Sequence, residues 1–170
     1  YWLGYYRPGA SSGVAYSIGL RGARDPALRG ELREVMNGSL AGVRLSTATA
    51  VSADGILADL SPYGITLVDD DGVRGRIPGA YHSLAFHPGG AHLALGSASG
   101  VIEIRDVVSL EKIDELAGHQ GIVYGVDYGP DGTRLVSGGN DTTIRVWDVV
   151  HGEQVLELRG HESYVKAVVF

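Results

Sequence analysis

The sequence contains no cysteine, so neither a disulfide bond nor a thiolate metal site contributes to this protein. A lack of cysteine is typical of cytoplasmic proteins, and we expect that location. No Gly-Lys-Ser/Thr follows the glycine-rich stretch at 9–13, which excludes a P-loop for nucleotide there. No apolar run approaches the roughly 18 residues that a membrane-spanning helix needs. The sequence therefore predicts neither a cofactor nor a membrane span.

Positive charge is scarce. Fourteen Lys and Arg residues stand against 20 Asp and Glu residues, which gives a net charge of −6. Binding to nucleic acid or to an anionic membrane needs a basic patch. The arginines between 21 and 33 are interleaved with Asp25, Glu31 and Glu34, as on a solvated helix face. We therefore expect neither nucleic acid nor a membrane as a partner.

The first 38 residues form an N-terminal segment that differs in composition from the repeats that follow it. Asp25 is a good N-cap, Pro26 suits the first helical position, and Asn37-Gly38 is a stop, so a helix is predicted over 26–36. Glycine and aromatic residues dominate the part before it. Its aromatic side chains could stack on a ligand, but a small packed cluster is the favoured interpretation; they are Tyr1, Trp2, Tyr5 and Tyr6.

A repeat runs through the rest of the chain. Gly118-His119 and Gly160-His161 stand 42 residues apart, with Trp147-Asp148 between them. The unit contains alternating apolar residues and turns rich in Gly, Pro and Asp, which predicts four short strands. These strands are expected at 121–128, 134–138, 143–149 and 154–158.

Earlier copies of the unit are degenerate. A shift of 42 residues, without a gap, aligns 86–90 with 128–132 and Asp106 with Asp148. In that copy, Arg105 replaces the tryptophan and Ser99 replaces Asp141. A fainter copy includes 53–55 and 64–69, at a spacing about five residues shorter, so we expect one of its hairpins to be trimmed.

A period of about 40–45 residues with a Gly-His and a Trp-Asp in each unit resembles the WD-repeat β-propeller family. The resemblance implies an all-β fold of four-stranded antiparallel blades, here with a short N-terminal helix. The propeller portion is expected at 39–170. It contains degenerate blades at 40–78 and 79–117, a good blade at 118–160 and the start of the next at 161–170. Since propellers close with four to eight blades, we expect further blades of the same chain, or of another copy, to complete the ring.

The good unit contains a serine, a histidine and an aspartate, which suggests a hydrolase triad. The resemblance implies instead a structural hydrogen-bond network formed by His119, Ser137, Asp141 and Trp147, with His161 taking the same part in the next blade. We therefore predict no enzyme and no catalytic residue. The stretch 69–72 lacks the D-x-D-x-D-G spacing of a calcium loop and is interpreted as a hairpin turn, so no metal site is predicted.

The resemblance also implies where partners dock. In this family, proteins bind the face made by the loops before the first strand and between the second and third strands. By position, the candidates are His82, Ile122, Tyr124, Asn140, Tyr164 and Lys166. The alternative is that Tyr124 and Tyr164 only cover blade edges.

We therefore predict a scaffold that binds other proteins or peptides. An alternative is a sensor or regulatory segment of a multidomain bacterial-type signalling ATPase or kinase, which the Asp25-Pro26 helix before a propeller resembles.

Overall fold

The computed structural model describes residues 2–5, 16–19 and 48–170. The chain divides into two compact units, Tyr1–Leu45 and Ser46–Phe170. In the first unit, β1 (Trp2–Tyr5) pairs antiparallel with β2 (Tyr16–Gly19). The predicted helix over 26–36 and the side chains of the predicted aromatic cluster lie outside the described residues. The alternative function that depends on this helix therefore stays a prediction.

The second unit consists of three four-stranded sheets, and each is an antiparallel meander in which consecutive strands are neighbours. The first sheet contains β3 (Ala48–Val51), β4 (Leu57–Ser61), β5 (Gly64–Asp69) and β6 (Gly72–Pro78). The second contains β7 (Tyr81–Phe86), β8 (His92–Ser97), β9 (Val101–Asp106) and β10 (Lys112–Ala117). The third contains β11 (Val123–Tyr128), β12 (Arg134–Gly139), β13 (Ile144–Asp148) and β14 (Glu153–Leu158). The predicted all-β fold is confirmed.

The 42-residue repeat reappears in the strand register. A bulge separates Val123 from Gly125 where β11 pairs with β12, and another separates Tyr81 from Ser83 where β7 pairs with β8. These positions are 42 residues apart, so the two sheets share an irregularity as well as a strand order. A bulge bends the strand locally and increases its twist.

The shorter spacing of the first sheet comes from two connections rather than one trimmed hairpin. Residues 70–71 alone join β5 to β6, whereas residues 107–111 join β9 to β10. Residues 79–80 alone join the first sheet to the second, whereas residues 118–122 join the second to the third. The residues 42 positions before Gly118-His119 are Arg76-Ile77, and they belong to β6 rather than to a connection.

Apolar side chains fill the spaces between neighbouring sheets. One cluster contains residues of the first two sheets, among them Leu60, Leu67 and Leu95. A second cluster contains residues of the second and third sheets, among them Leu116 and Trp147. Burial of such side chains is the main favourable contribution to the packing of stacked repeats.

Glycine permits close approach at equivalent points of these interfaces. A Cβ atom on Gly96 would lie 2.9 Å from both Cγ1 and the carbonyl oxygen of Val123, at the start of the next sheet. A Cβ on Gly138, 42 residues later, would lie 2.5 Å from Cγ1 of Val165. Side chains at these two positions would push the following segment away, because interiors are packed without spare volume.

The segment 161–170, the expected start of the next blade, contains no strand. Val165 is nevertheless buried, and its N–H donates to the carbonyl oxygen of Gly139 at 3.0 Å. The segment therefore packs on the third sheet in the way that Val123 packs on the second. It lacks a ladder of hydrogen bonds because no neighbouring strand pairs with it.

Candidate functional site

Four side chains of the third sheet form one hydrogen-bonded chain. His119 comes from the connection before β11, Ser137 from β12, Asp141 from the turn after it and Trp147 from β13. His119 Nε2 lies 2.8 Å from Ser137 Oγ, and His119 Nδ1 lies 2.9 Å from Asp141 Oδ1. Trp147 Nε1 donates to Ser137 Oγ at 2.8 Å. The structure thus brings together all four residues that the sequence grouped.

The direction of the protons follows from Asp141 and from the neutral state of His119. Burial lowers the pKa of His119, and this effect exceeds the opposing one of Asp141. The carboxylate of Asp141 only accepts, so the one ring proton of a neutral His119 is on Nδ1 and is donated to Asp141. His119 Nε2 then accepts from the Ser137 hydroxyl, whose oxygen accepts from the indole N–H of Trp147.

Asp141 is the most heavily hydrogen-bonded member. Besides His119, it accepts from the backbone N–H of Gln120 at 2.9 Å and from the hydroxyl of Thr143 at 2.8 Å. Burial acts to raise the pKa of Asp141, but these hydrogen bonds outweigh it and lower the pKa to about 2. The turn after β12 is thereby tied to the connection that precedes β11.

The network continues to the outer strand through residues that the sequence analysis missed. Arg145 donates to Gln154 on β14, and its NH2 group lies 3.3 Å from Glu157 on the same strand. It also donates to Thr143 Oγ1 at 3.3 Å. Thr143, Arg145 and Trp147 are spaced two apart and share one side of the strand, so the alternation of β13 was the signal that could have found them.

The Ser137–His119–Asp141 order is that of a hydrolase triad, but the setting differs. Ser137 is 0% exposed and His119 is 6% exposed. The serine oxygen already accepts the indole proton of Trp147. A catalytic nucleophile must reach a substrate carbonyl, and this hydroxyl has no free approach. What the arrangement does chemically is join β12, β13, the turn between them and the connection before β11 by charge-assisted and neutral hydrogen bonds.

The second sheet has a different network at the equivalent place. Arg105, at the tryptophan position, donates to Glu103 Oε2 through Nε at 2.9 Å, and Tyr81 donates to the same oxygen at 2.8 Å. Burial and Glu103 raise the pKa of Tyr81. Burial acts to lower the pKa of Arg105, but Glu103 raises it overall. Ser99, at the Asp141 position, bonds only to Ser97, with 2.8 Å between hydroxyls.

The six predicted partner residues lie close together. The rings of His82 and Tyr124 are 6.0 Å apart, and those of Tyr124 and Tyr164 are 5.3 Å apart. The ammonium of Lys166 lies 5.3 Å from the centre of the Tyr164 ring. Beside this row, the N–H of Asn140 donates to the carbonyl oxygen of Ile122 at 2.8 Å, and the Asn140 side chain is exposed. His161 is also exposed and stands apart from the network of the third sheet.

The acidic stretch at 69–72 forms the tight turn between β5 and β6. Asp69 accepts from the backbone N–H of Asp71 at 3.0 Å and pairs with Arg74 at 2.6 Å. Across residues 48–170 and the two N-terminal strands, no group of three or more His, Cys, Asp or Glu residues could hold a metal ion. In the same part of the chain, no helix has the length and apolar character to cross a bilayer.

Comparisons with known proteins agree with this geometry. Residues 110–148 match the model of the family described as WD domain, G-beta repeat. A solved structure of U3-55K is similar with a TM-score of 0.69 and 25% identity, over 75% of this chain and 43% of that one. The crystal structure of RRP9 WD40 repeats is similar with a TM-score of 0.69 and 26% identity, over the same shares. This chain thus spans less than half the length of either structure. No curated protein sequence matches it.

Proposed function

We propose that this chain, whose three sheets match WD-repeat propeller blades, is a scaffold for contacts with other proteins or peptides. WD40 repeat domains generally bind other proteins. The chain-specific support is the row of side chains formed by His82, Tyr124, Tyr164 and Lys166. It joins the second sheet, the third sheet and the segment after it.

The composition of this row suits an interface. Tyrosine presents a large, rigid contact area at a low cost in side-chain entropy, and it is common among residues that dominate binding energy. Tyr164 is 45% exposed, and His82, Asn140 and Lys166 are exposed as well. Such side chains have surface to lose on binding. We propose that they form the docking face.

We assign the His119–Ser137–Asp141–Trp147 network a structural role, and we propose a non-enzymatic protein. The burial of Ser137 supports this assignment, since a nucleophile without access to substrate cannot turn over. The net charge of −6 supports a protein partner rather than nucleic acid or an anionic membrane. The absence of cysteine supports a cytoplasmic location.

The docking face can be tested by affinity purification with the full chain and a double variant, Tyr124→Ala with Asn140→Ala. We expect the amount of protein that co-purifies with the double variant to be at least about tenfold lower than with the unchanged chain, because removing a binding hot spot has an effect of this size. Val150→Ala is the matched control, because Val150 is 69% exposed on the turn between β13 and β14, away from the row. Recovery of the same proteins with the double variant would show that this face is not the docking site.

A further inference from the structure

The row His82–Tyr124–Tyr164–Lys166, which we call the aromatic row, has a basic group at one end and open ring surface along its length. We propose that it holds an extended acidic peptide segment, which stacks an aromatic or proline side chain on Tyr124 and Tyr164 and places a carboxylate at Lys166. This proposal rests on the proposed function, because it names the partner chemistry of the same face.

The row is continuous because of the repeat. His82, Tyr124 and Lys166 are each 42 residues apart, so they take the same place in successive repeats. Tyr164 fills the space between the last two. The ring of His82 meets Tyr124 edge-on, at an interplanar angle of 77°, and the rings of Tyr124 and Tyr164 are tilted by 45°. Tilted and edge-on rings pack stably while leaving ring faces and edges for a further planar group.

The spacing of the row suits an extended segment. Successive members are 6.0, 5.3 and 5.3 Å apart. An extended chain advances about 3.3 Å per residue, with alternate side chains on one side. Side chains on that side are therefore about 6–7 Å apart, close to the spacing of the row. A segment of about five or six residues covers it.

The charge at one end of the row is not neutralised within the described residues. Lys166 contacts the Tyr164 ring and forms no ion pair with an Asp or Glu side chain of residues 48–170. The Lys166 side chain is exposed, so an anionic group from a partner can reach its ammonium.

The opposite ends of the strands are the more acidic ones. In a four-stranded meander, the first and third turns lie at one end of the sheet and the second turn at the other. The first and third turns are rich in acids; among their residues and the strand ends beside them are Asp54, Asp70, Asp71, Asp106, Asp131 and Asp148. These acidic turns repel an acidic segment, whereas Lys166 attracts one. Electrostatic complementarity therefore favours binding of an acidic peptide at the aromatic row.

The test uses the full chain and two libraries of fluorescein-labelled octapeptides. Both have a fixed Pro-Trp in the centre, and they differ only in two fixed positions, which are Glu in one and Lys in the other. We expect the Glu library to bind at least about tenfold more tightly in fluorescence polarisation. Tyr164→Ala should weaken that binding by about tenfold or more. Lys166→Glu should abolish or reverse the preference.

Lys112→Glu is the matched charge control, because Lys112 is exposed on the outer strand β10, where it pairs with Glu115 at 2.7 Å. It should leave the preference unchanged. Equal binding of the two libraries, or a Glu preference that survives Lys166→Glu, overturns the acidic peptide. If the libraries show no preference while Tyr124→Ala with Asn140→Ala still loses co-purified proteins, the scaffold function stands and this inference falls. If neither measurement depends on the row, both fall.

Discussion

Trp147 and Arg105 occupy equivalent positions in neighbouring sheets, but they stabilise their sheets by different means. Trp147 is 1% exposed and adds an indole hydrogen bond to an apolar cluster. Arg105 is partly exposed and holds Glu103 and the carbonyl oxygen of Leu110 by hydrogen bonds. Solvent weakens the Arg105–Glu103 ion pair, whereas the buried indole of Trp147 packs against apolar side chains and is shielded from water.

Trp147→Ala should therefore cost more stability than Arg105→Ala. The first change leaves a large cavity and removes a donor from Ser137, so we expect a loss of about 3–5 kcal/mol in the free energy of unfolding. The second change leaves Glu103 with Tyr81 and access to water, so we expect about 1–2 kcal/mol. Urea unfolding followed by circular dichroism measures both. Equal losses would contradict the different roles that the contacts indicate.

Histidine burial should make the protein less stable in mild acid. Burial lowers the pKa of both His119 and His87 below the ordinary value of 6.5. At pH values between the lowered pKa values and 6.5, the folded chain binds fewer protons than the unfolded chain. The free energy of unfolding is therefore highest above pH 6.5 and falls as the pH decreases towards the lowered pKa values. We expect a lower unfolding midpoint at about pH 5.5 than at about pH 7.5.

One variant locates the cause of this pH dependence. His87→Gln should reduce it, because it removes a partly buried titrating group that accepts from the N–H of Gly89 at 2.9 Å. An unfolding midpoint that does not change between the two pH values would show that the two imidazoles are not linked to folding.

Among the elements, the contact between β8 and β11 sets how closely two sheets approach. Gly96→Ala places a methyl group against Ser83 and Val123, and the backbone of Val123 cannot move without moving β11. We expect a loss of about 1–3 kcal/mol, the usual cost of overpacking. Gly129→Ala is the control, since its new methyl group meets no atom closer than 3.4 Å. If thermal unfolding shows the same small effect for both variants, the sheets are not in the close contact described.

The strands also show where sequence patterns were sufficient to predict the ends of an element. The strands of the third sheet lie within two residues of their predicted ends, because Pro-Asp-Gly and similar turn sequences mark them. The helix over 26–36 remains a prediction. No residue of 161–170, the expected start of the next blade, belongs to a strand, although 162–170 resembles 120–128 in sequence. A repeated sequence supplies the residues of a strand, but the strand itself needs a neighbour that donates and accepts along its edge.

Within residues 48–170, the outer face of the third sheet is more exposed than that of the second. Leu116 on β10 is 1% exposed, since the third sheet covers it. Leu158, 42 residues later on β14, is 46% exposed, and Leu156 and Val155 beside it are exposed to a similar degree. A contiguous apolar face of this kind is a surface for association.

We therefore expect the 170-residue chain to self-associate through this face. Leu158→Lys should shift the chain towards monomers, because it places a charge in the apolar face. Val150→Lys is the control, because Val150 is equally apolar and more exposed but lies on a turn. Sedimentation velocity measures the outcome. A compact monomer of the unchanged chain across a range of concentrations would contradict this expectation.

The sequence by itself determined the period of the repeat and the short strands of its best copy, because hydrophobic alternation and turn chemistry are local properties. Its resemblance to WD repeats implied the propeller fold and the four members of the His119 network. Only the tertiary structure decided that Arg145 extends this network to Glu157, that Arg105 pairs with Glu103, and that His82, Tyr124 and Tyr164 form one row. Apart from the Arg105–Glu103 pair, which lies within β9, these contacts join residues of different strands or sheets. Their distances depend on bulges, connection lengths and close glycine contacts, and those are fixed only when the sheets pack.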